Sequence, residues 1–256
     1  DVTEMSAAQR LEAFRQAGRN YVGQSFRTIS GFNEHGAIVH YSVHEDSNIP
    51  ITGNGVYLVD SGGQYLDGTT DITRTIAVGT VPEQARIDFT LVLKGHIALA
   101  RAVFPSGTTG TQLDALARSA LWQRMQNFGH GTGHGVGHFM NVHEGPQRIS
   151  PKPSSIGLEP GMLTSNEPGL YREGKWGIRI ENLILTEPAG KTEFGQFYKF
   201  KTVTLCPIDT RLIDVQLLEA HEREWLNEYH QHVQDSLSPL LNEQAKSWLE
   251  RACVPV

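Results

Sequence analysis

The 256-residue sequence predicts an α+β fold rather than a doubly wound parallel sheet. Its extended runs come in hairpins, and its long helical runs fall between the hairpin groups instead of after each strand. No Gly/Ser linker or shift in composition divides the chain, so one domain over residues 1–256 is expected.

Residues 4–17 read as a helix: Met5, Ala8, Leu11 and Phe14 give the 3–4 spacing, Thr3 is the N-cap and Gly18 the stop. Residues 26–30 and 37–41 read as short strands around a Gly31–Gly36 turn, and 45–55 as a polar surface loop. A central hairpin follows, with arms at 56–60 and 70–78 and Gly62, Gly63 and Gly68 in its turn region. Residues 83–103 and 111–126 predict two helices, the second capped by Thr108 or Thr111, and 145–160 a proline-punctuated loop. Strands are expected at 162–166, 177–185 and 201–205, then closing helices at 214–231 and 236–252 with Leu, Trp225 and Trp248 on one stripe.

Composition narrows the function. The net charge of −6 argues against nucleic acid or an anionic membrane as partner. No apolar run approaches the ~20 residues of a membrane span, and the first residues lack the basic and apolar regions of a signal peptide. Two cysteines, Cys206 and Cys253, make no disulfide framework, so a reducing cytoplasmic location is expected. An opening on Asp1 rather than Met reads as a fragment or processed product.

The chemistry starts in the central hairpin. Asp60 closes its first apolar arm, and alternation puts Asp71, Thr73 and Thr75 on one face of the second. Two carboxylates facing each other across a ladder would repel, so either a cation lies between them or both are solvated loop-edge residues. A second pair, Glu167 and Glu181, echoes the first, as in two halves related by a pseudo-twofold. Arg179 shares the face of Glu181 and is placed to clamp a neighbouring carboxylate. The run 129–138 interleaves glycine with His130, His134 and His138, and His143 follows. No Lys or strand-to-helix context supports a phosphate loop. Glycines there suit a backbone passing close to a small ligand while presenting imidazoles. Four carboxylates and at least one imidazole favour two divalent ions such as Mn²⁺, Co²⁺, Zn²⁺ or Fe²⁺, an arrangement used for hydrolysis.

The order Asp60, Asp71, His134, Glu167, Glu181 resembles the pita-bread metallopeptidases. Gly36-Ala-Ile-Val-His40-Tyr, Asp67-Gly-Thr-Thr-Asp-Ile-Thr-Arg-Thr75, His130-Gly-Thr-Gly-His-Gly-Val-Gly137, Asn141-Val-His-Glu-Gly-Pro146 and Gly177-Ile-Arg-Ile-Glu-Asn182 are similar to the cytosolic Xaa-Pro aminopeptidase (aminopeptidase P) branch. The resemblance implies the creatinase/aminopeptidase fold, with pseudo-twofold halves around a curved, mainly antiparallel sheet flanked by helices. It implies metal ligation by Asp60, Asp71, His134, Glu167 and Glu181, with Asp71 and Glu181 bridging two ions, Mn²⁺ first among them. A bridging hydroxide would attack the bond before a proline at position two, with Glu167 as general base. His40, His130 and His143 would handle substrate, His130 and His143 also moving protons, with Arg179 supporting them. His138 receives no role. Family members carry further domains ahead of the catalytic one and form homodimers, so upstream domains and the opening of this one are expected beyond the sequence given. Prolidase, cleaving Xaa-Pro dipeptides, is the alternative. A non-catalytic binding module is a weaker one, since all five ligand positions hold competent residues.

Overall fold

The structure, a computed structural model, describes all residues 1–256. Helix α1 (Glu4–Gln16) starts at a capping box: the Thr3 hydroxyl accepts from Ser6 N at 3.1 Å, and Ser6 Oγ accepts from Thr3 N at 2.8 Å. Its anchor is not the expected apolar stripe. Phe14 is 62% exposed, whereas Glu4 is fully buried. The Glu4 carboxylate accepts from Phe32 N at 2.6 Å and from His35 Nδ1 at 2.9 Å, so donors at a strand end and in the turn after it decide which face is covered.

Three strands, β2 (Ile29–Phe32), β3 (Gly55–Ser61) and β6 (Ile72–Val78), form one antiparallel sheet in the order β2-β3-β6. The excursion between β3 and β6 is not a plain turn. It carries β4 (Gly63–Tyr65) and β5 (Gly68–Thr69), which pair with β1 (Tyr21–Gln24) in the order β1-β4-β5. The expected strand at 37–41 is absent: Asn33–Ala37 is a 3₁₀ turn packed on β12 (Trp176–Arg179), and the chain leaves it as coil.

Helix α2 (Glu83–Ala100) ends short of residue 103 because β7 (Val103–Pro105) joins the edge of a second sheet. Helix α3 (Gly110–Trp122) is capped by Thr109, not by either neighbouring threonine. The Thr108 hydroxyl donates to Pro105 O and the Thr111 hydroxyl to Lys152 O, so neither is free to cap. Short β8 (Gly133–His134) and β9 (Arg148–Ile149) pair with each other. The second sheet then forms from β10 (Leu163–Asn166), β13 (Asn182–Thr192) and β14 (Gly195–Thr202), in the order β10-β13-β14-β7.

The strand expected over 177–185 is two. Strand β12 pairs with β11 (Gly169–Arg172), β13 pairs with β10, and the break falls at Ile180–Glu181. Its cause lies on the partner side, where Glu167–Pro168 separates β10 from β11 and Pro168 has no N–H for a ladder. The long β13–β14 arm replaces the strand expected at 201–205. Its outer half is exposed and shifts register at Pro188/Gly190.

The closing helices are α4 (Ala220–Leu237) and α5 (Glu243–Ala252), later than expected because 210–212 and 215–217 form 3₁₀ turns. The main core joins the first sheet, α2 and these helices: Val56, Phe89, Ile178, Leu226, Val233 and Leu249 pack in one cluster. Each such side chain contributes roughly 1.5–3 kcal/mol on burial. Trp225 stacks on Tyr229 at 5.3 Å, whereas Trp248 is 56% exposed, so the two tryptophans do not share a buried stripe. No helix is long and apolar enough to cross a membrane.

Candidate metal centre

Alternation along β6 sorts its residues between two environments. Arg74 points away from the carboxylates into a buried knot, donating to Glu181 O at 2.6 Å, Asn182 Oδ1 at 2.7 Å and Cys206 O at 2.7 Å. Thr73 points the other way, and its hydroxyl donates to Glu181 Oε2 at 2.7 Å. Asp60 lies opposite Thr73 in the β3–β6 ladder, Asp71 immediately precedes β6, Glu167 immediately follows β10, and Glu181 sits in the β12–β13 break.

These four carboxylates and His134 line one cavity of about 500 Å³, together with His40, His130, His143 and Arg179. Ligand atoms of Asp71, His134 and Glu181 all lie within 4.8 Å of one another. His138 is exposed and does not line the cavity.

The donor set fits divalent cations. His134 Nδ1 is 2.9 Å from Gly135 O; a carbonyl only accepts, so Nδ1 carries the proton and Nε2 of the neutral ring is bare. That nitrogen faces the carboxyl groups, 3.4 Å from Asp71 Oδ2 and 3.3 Å from Glu167 Oε1. Asp60 Oδ1 and Glu181 Oε1 are buried with no hydrogen-bond partner. Burial, reinforced by neighbouring carboxylates, pushes the Asp71 and Glu181 carboxyls well above the ordinary carboxylate range; burial also raises Glu167. A site that leaves oxygens orphaned and protons retained is one whose balancing charge is a cation.

Arg179 is 2% exposed and all three arms of its guanidinium are engaged: Nη2 with Asp60 Oδ2 at 2.7 Å, Nη1 with the Tyr171 hydroxyl at 2.7 Å, Nε with Thr73 Oγ1 at 3.2 Å. The chain continues into His130. Its Nδ1 donates to Gly131 O at 2.8 Å, so Nε2 accepts from the Tyr171 hydroxyl, also at 2.8 Å. Both ring nitrogens are therefore committed, and burial lowers the ring to about 4, keeping it neutral. His143 differs: it is exposed and its ring meets His134 edge-on at 4.2 Å.

The glycines around His134 serve packing against neighbouring backbone. A Cβ on Gly133 would lie 1.8 Å from Ser165 O, and one on Gly135 2.0 Å from Glu144 O. This close approach lets the Ser165 hydroxyl accept from His134 N at 2.9 Å and donate to Glu167 Oε1 at 3.0 Å. Sequence reasoning missed Ser165, although its spacing of two from Glu167 was visible. It also missed Tyr171, whose place depends on the β11–β12 pairing. A further support is the buried Asp114–Arg118 pair on α3. Arg118 Nη2 donates to His130 O at 2.7 Å, and Asp114 accepts from Thr132 Oγ1 at 2.6 Å. Thr132 O in turn accepts from Glu167 N at 2.8 Å.

Comparison with known proteins is consistent with this arrangement. Residues 1–188 match the model of metallopeptidase family M24, and residues 196–256 match that of the C-terminal region of peptidase M24. A protein of Laccaria bicolor named probable Xaa-Pro aminopeptidase P is 49% identical over the whole chain, which covers 41% of that protein. The solved X-prolyl aminopeptidase of Caenorhabditis elegans, described as a cytosolic enzyme with a di-nuclear active site, is 42% identical. It superposes with a TM-score of 0.92 over 99% of this chain and 42% of its own. A prolidase of Thermococcus sibiricus is 30% identical, with a TM-score of 0.64 over 72% of this chain and 48% of its own. The chain thus spans about two fifths of the length of the Laccaria and Caenorhabditis proteins. The matched models together account for nearly all of its residues, and the chain belongs to metallopeptidase family M24.

Proposed function

We propose that this chain is the catalytic part of a metallo-aminopeptidase that releases the first residue from peptides with proline at position two. The observation that carries the proposal is the convergence of four carboxylates and the bare His134 Nε2 in one cavity. The names of the Laccaria and Caenorhabditis relatives support the choice of bond. Asp60, Asp71, His134, Glu167 and Glu181 would hold two divalent ions, with Asp71 and Glu181 shared between them. Mn²⁺ is the expected ion, with Zn²⁺, Co²⁺ and Fe²⁺ as alternatives. When bound, such a pair supplies Lewis acidity, yielding a nucleophile from water at neutral pH and polarising the scissile carbonyl.

The side chains do the rest. Glu167, oriented by Ser165, takes the proton of the attacking water and returns it toward the proline nitrogen as that bond breaks. Proline has no amide N–H to recognise, so ring shape and histidine contacts select it. His143 and His40 are exposed on the cavity wall and can meet substrate directly. His130 presents a neutral ring face and is positioned by Tyr171. Arg179 anchors the Asp60 side chain in place. A cytoplasmic location is supported by the description of the Caenorhabditis enzyme, and a single domain by the core that α4 and α5 share with the first sheet.

The test is turnover of Xaa-Pro-Xaa peptides after chelation and Mn²⁺ restoration. Cleavage of the tripeptide, with Xaa-Ala-Xaa and Xaa-Pro dipeptides resisting, is expected. Faster cleavage of the dipeptide would instead make it a prolidase.

A further inference from the structure

The cavity wall holds two guanidinium groups, and they are used in opposite ways. Arg179 is buried and its three arms are engaged within the protein. Arg27 is exposed, makes no ion pair, and donates one hydrogen bond, from Nη2 to Val43 O at 3.0 Å. A guanidinium has five N–H donors in a fork shaped for a carboxylate. The bond to Val43 holds this fork at the cavity wall, while most of its donors remain free.

Its surroundings specify a ligand. Phe26, Ile29, Val39 and Tyr41 line the same cavity and give part of its wall an apolar character. The four carboxylates of the cavity would repel an anion by themselves. Two divalent ions would offset their four charges, and Arg27 is then the cavity guanidinium with donors left to attract an entering anion. We propose that Arg27 is a specificity-determining residue that binds the free α-carboxylate of a short peptide, with an apolar C-terminal side chain against the neighbouring wall. This deepens the aminopeptidase reading and rests on it. The substrate class becomes peptides whose C-terminus lies inside the cavity, not long chains threaded through it.

The experiment compares Xaa-Pro-Leu with its C-terminal amide on the Mn²⁺-loaded chain, and the binding of Pro-Leu and Pro-Leu amide by calorimetry. The free acid is expected to be favoured about tenfold in kcat/KM and in affinity, the size of a charge-assisted contact tempered by solvent. In Arg27→Gln the acid-to-amide ratio should fall to about 1. The loss should appear in KM, because the contact is the same in ground and transition states. Arg27→Lys should restore part of the ratio. Equal handling of acid and amide by the unsubstituted chain, or a preference that survives Arg27→Gln, overturns the role of Arg27 alone. Failure to cleave either peptide overturns the aminopeptidase reading and this inference with it.

Discussion

Segments 60–75 and 167–182 each bring two carboxylates to the cavity, but by different backbones. The first is a regular antiparallel pair in which Asp60 sits inside the ladder opposite Thr73. The second places both glutamates off the ladder: Glu167 beside Pro168, and Glu181 where the chain changes partner from β11 to β10. The first pair is therefore legible from alternation alone, while the second depends on a break set by a proline on another strand. The two segments are also tied to each other. Thr75 Oγ1 accepts from Arg179 N and donates to Arg179 O, and Glu181 N donates to Thr73 O at 3.1 Å.

The sharpest way to separate chemistry from scaffold is Glu167→Gln. It removes the proposed base yet keeps the side chain's shape, so turnover should fall by about 10³-fold, while the melting temperature without metal stays the same or rises. Near-normal turnover in that variant would remove Glu167 from the proton transfer.

Breaking the link between the segments should cost stability instead. Arg74→Ala strips donors from Glu181 O, Asn182 Oδ1 and Cys206 O at once. The expected loss is about 3–5 kcal/mol, read as a melting point roughly 10 °C lower. A change of only a degree or two would mean that the knot is not what holds β6 to β13.

A smaller effect of opposite sign is expected at Asp71. Asp71→Asn removes one buried charge from the cluster, and its amide can donate to a neighbouring carboxylate. The metal-free chain should gain about 1–2 kcal/mol, while the rise in melting temperature caused by added Mn²⁺ should largely disappear. Destabilisation of the metal-free chain would show that the cluster is not under charge strain.

The raised carboxyls also fix a sign for pH. Their folded-state values lie above the unfolded ones, so their contribution to metal-free stability is full below the ordinary carboxylate range and is lost as pH rises through the raised values. Metal binding should therefore expel protons, and Mn²⁺ affinity should rise with pH. Calorimetry in buffers of different ionisation enthalpy measures that release, and proton uptake would contradict it. The smallest change should come from Thr73→Val, which takes one donor from Glu181 and costs about 1 kcal/mol.

What was legible in the sequence follows the range of the interactions involved. The hairpin arms, α1, the two middle helices and the ligand candidates could be read because period and residue type are local properties. Residues 37–41 misled because a short apolar run scores as a strand even where no neighbouring strand pairs with it and Ile38 is 54% exposed. The β13–β14 arm was not anticipated between 186 and 200, where Pro188 and Gly190 sit at an exposed register shift that a ladder tolerates. Tyr171 and Arg118 were passed over for a related reason. Each looks ordinary in its own segment, and it acquires its role only through His130, which lies elsewhere in the chain.

The most direct test counts ions. The purified chain, titrated with Mn²⁺ after chelation, should bind two per chain. Glu181→Gln, which alters the ligand proposed to be shared by both positions, should reduce that to one or none. Two ions still held by the Glu181→Gln chain, or none held by the unsubstituted one, would contradict the assignment of the five side chains.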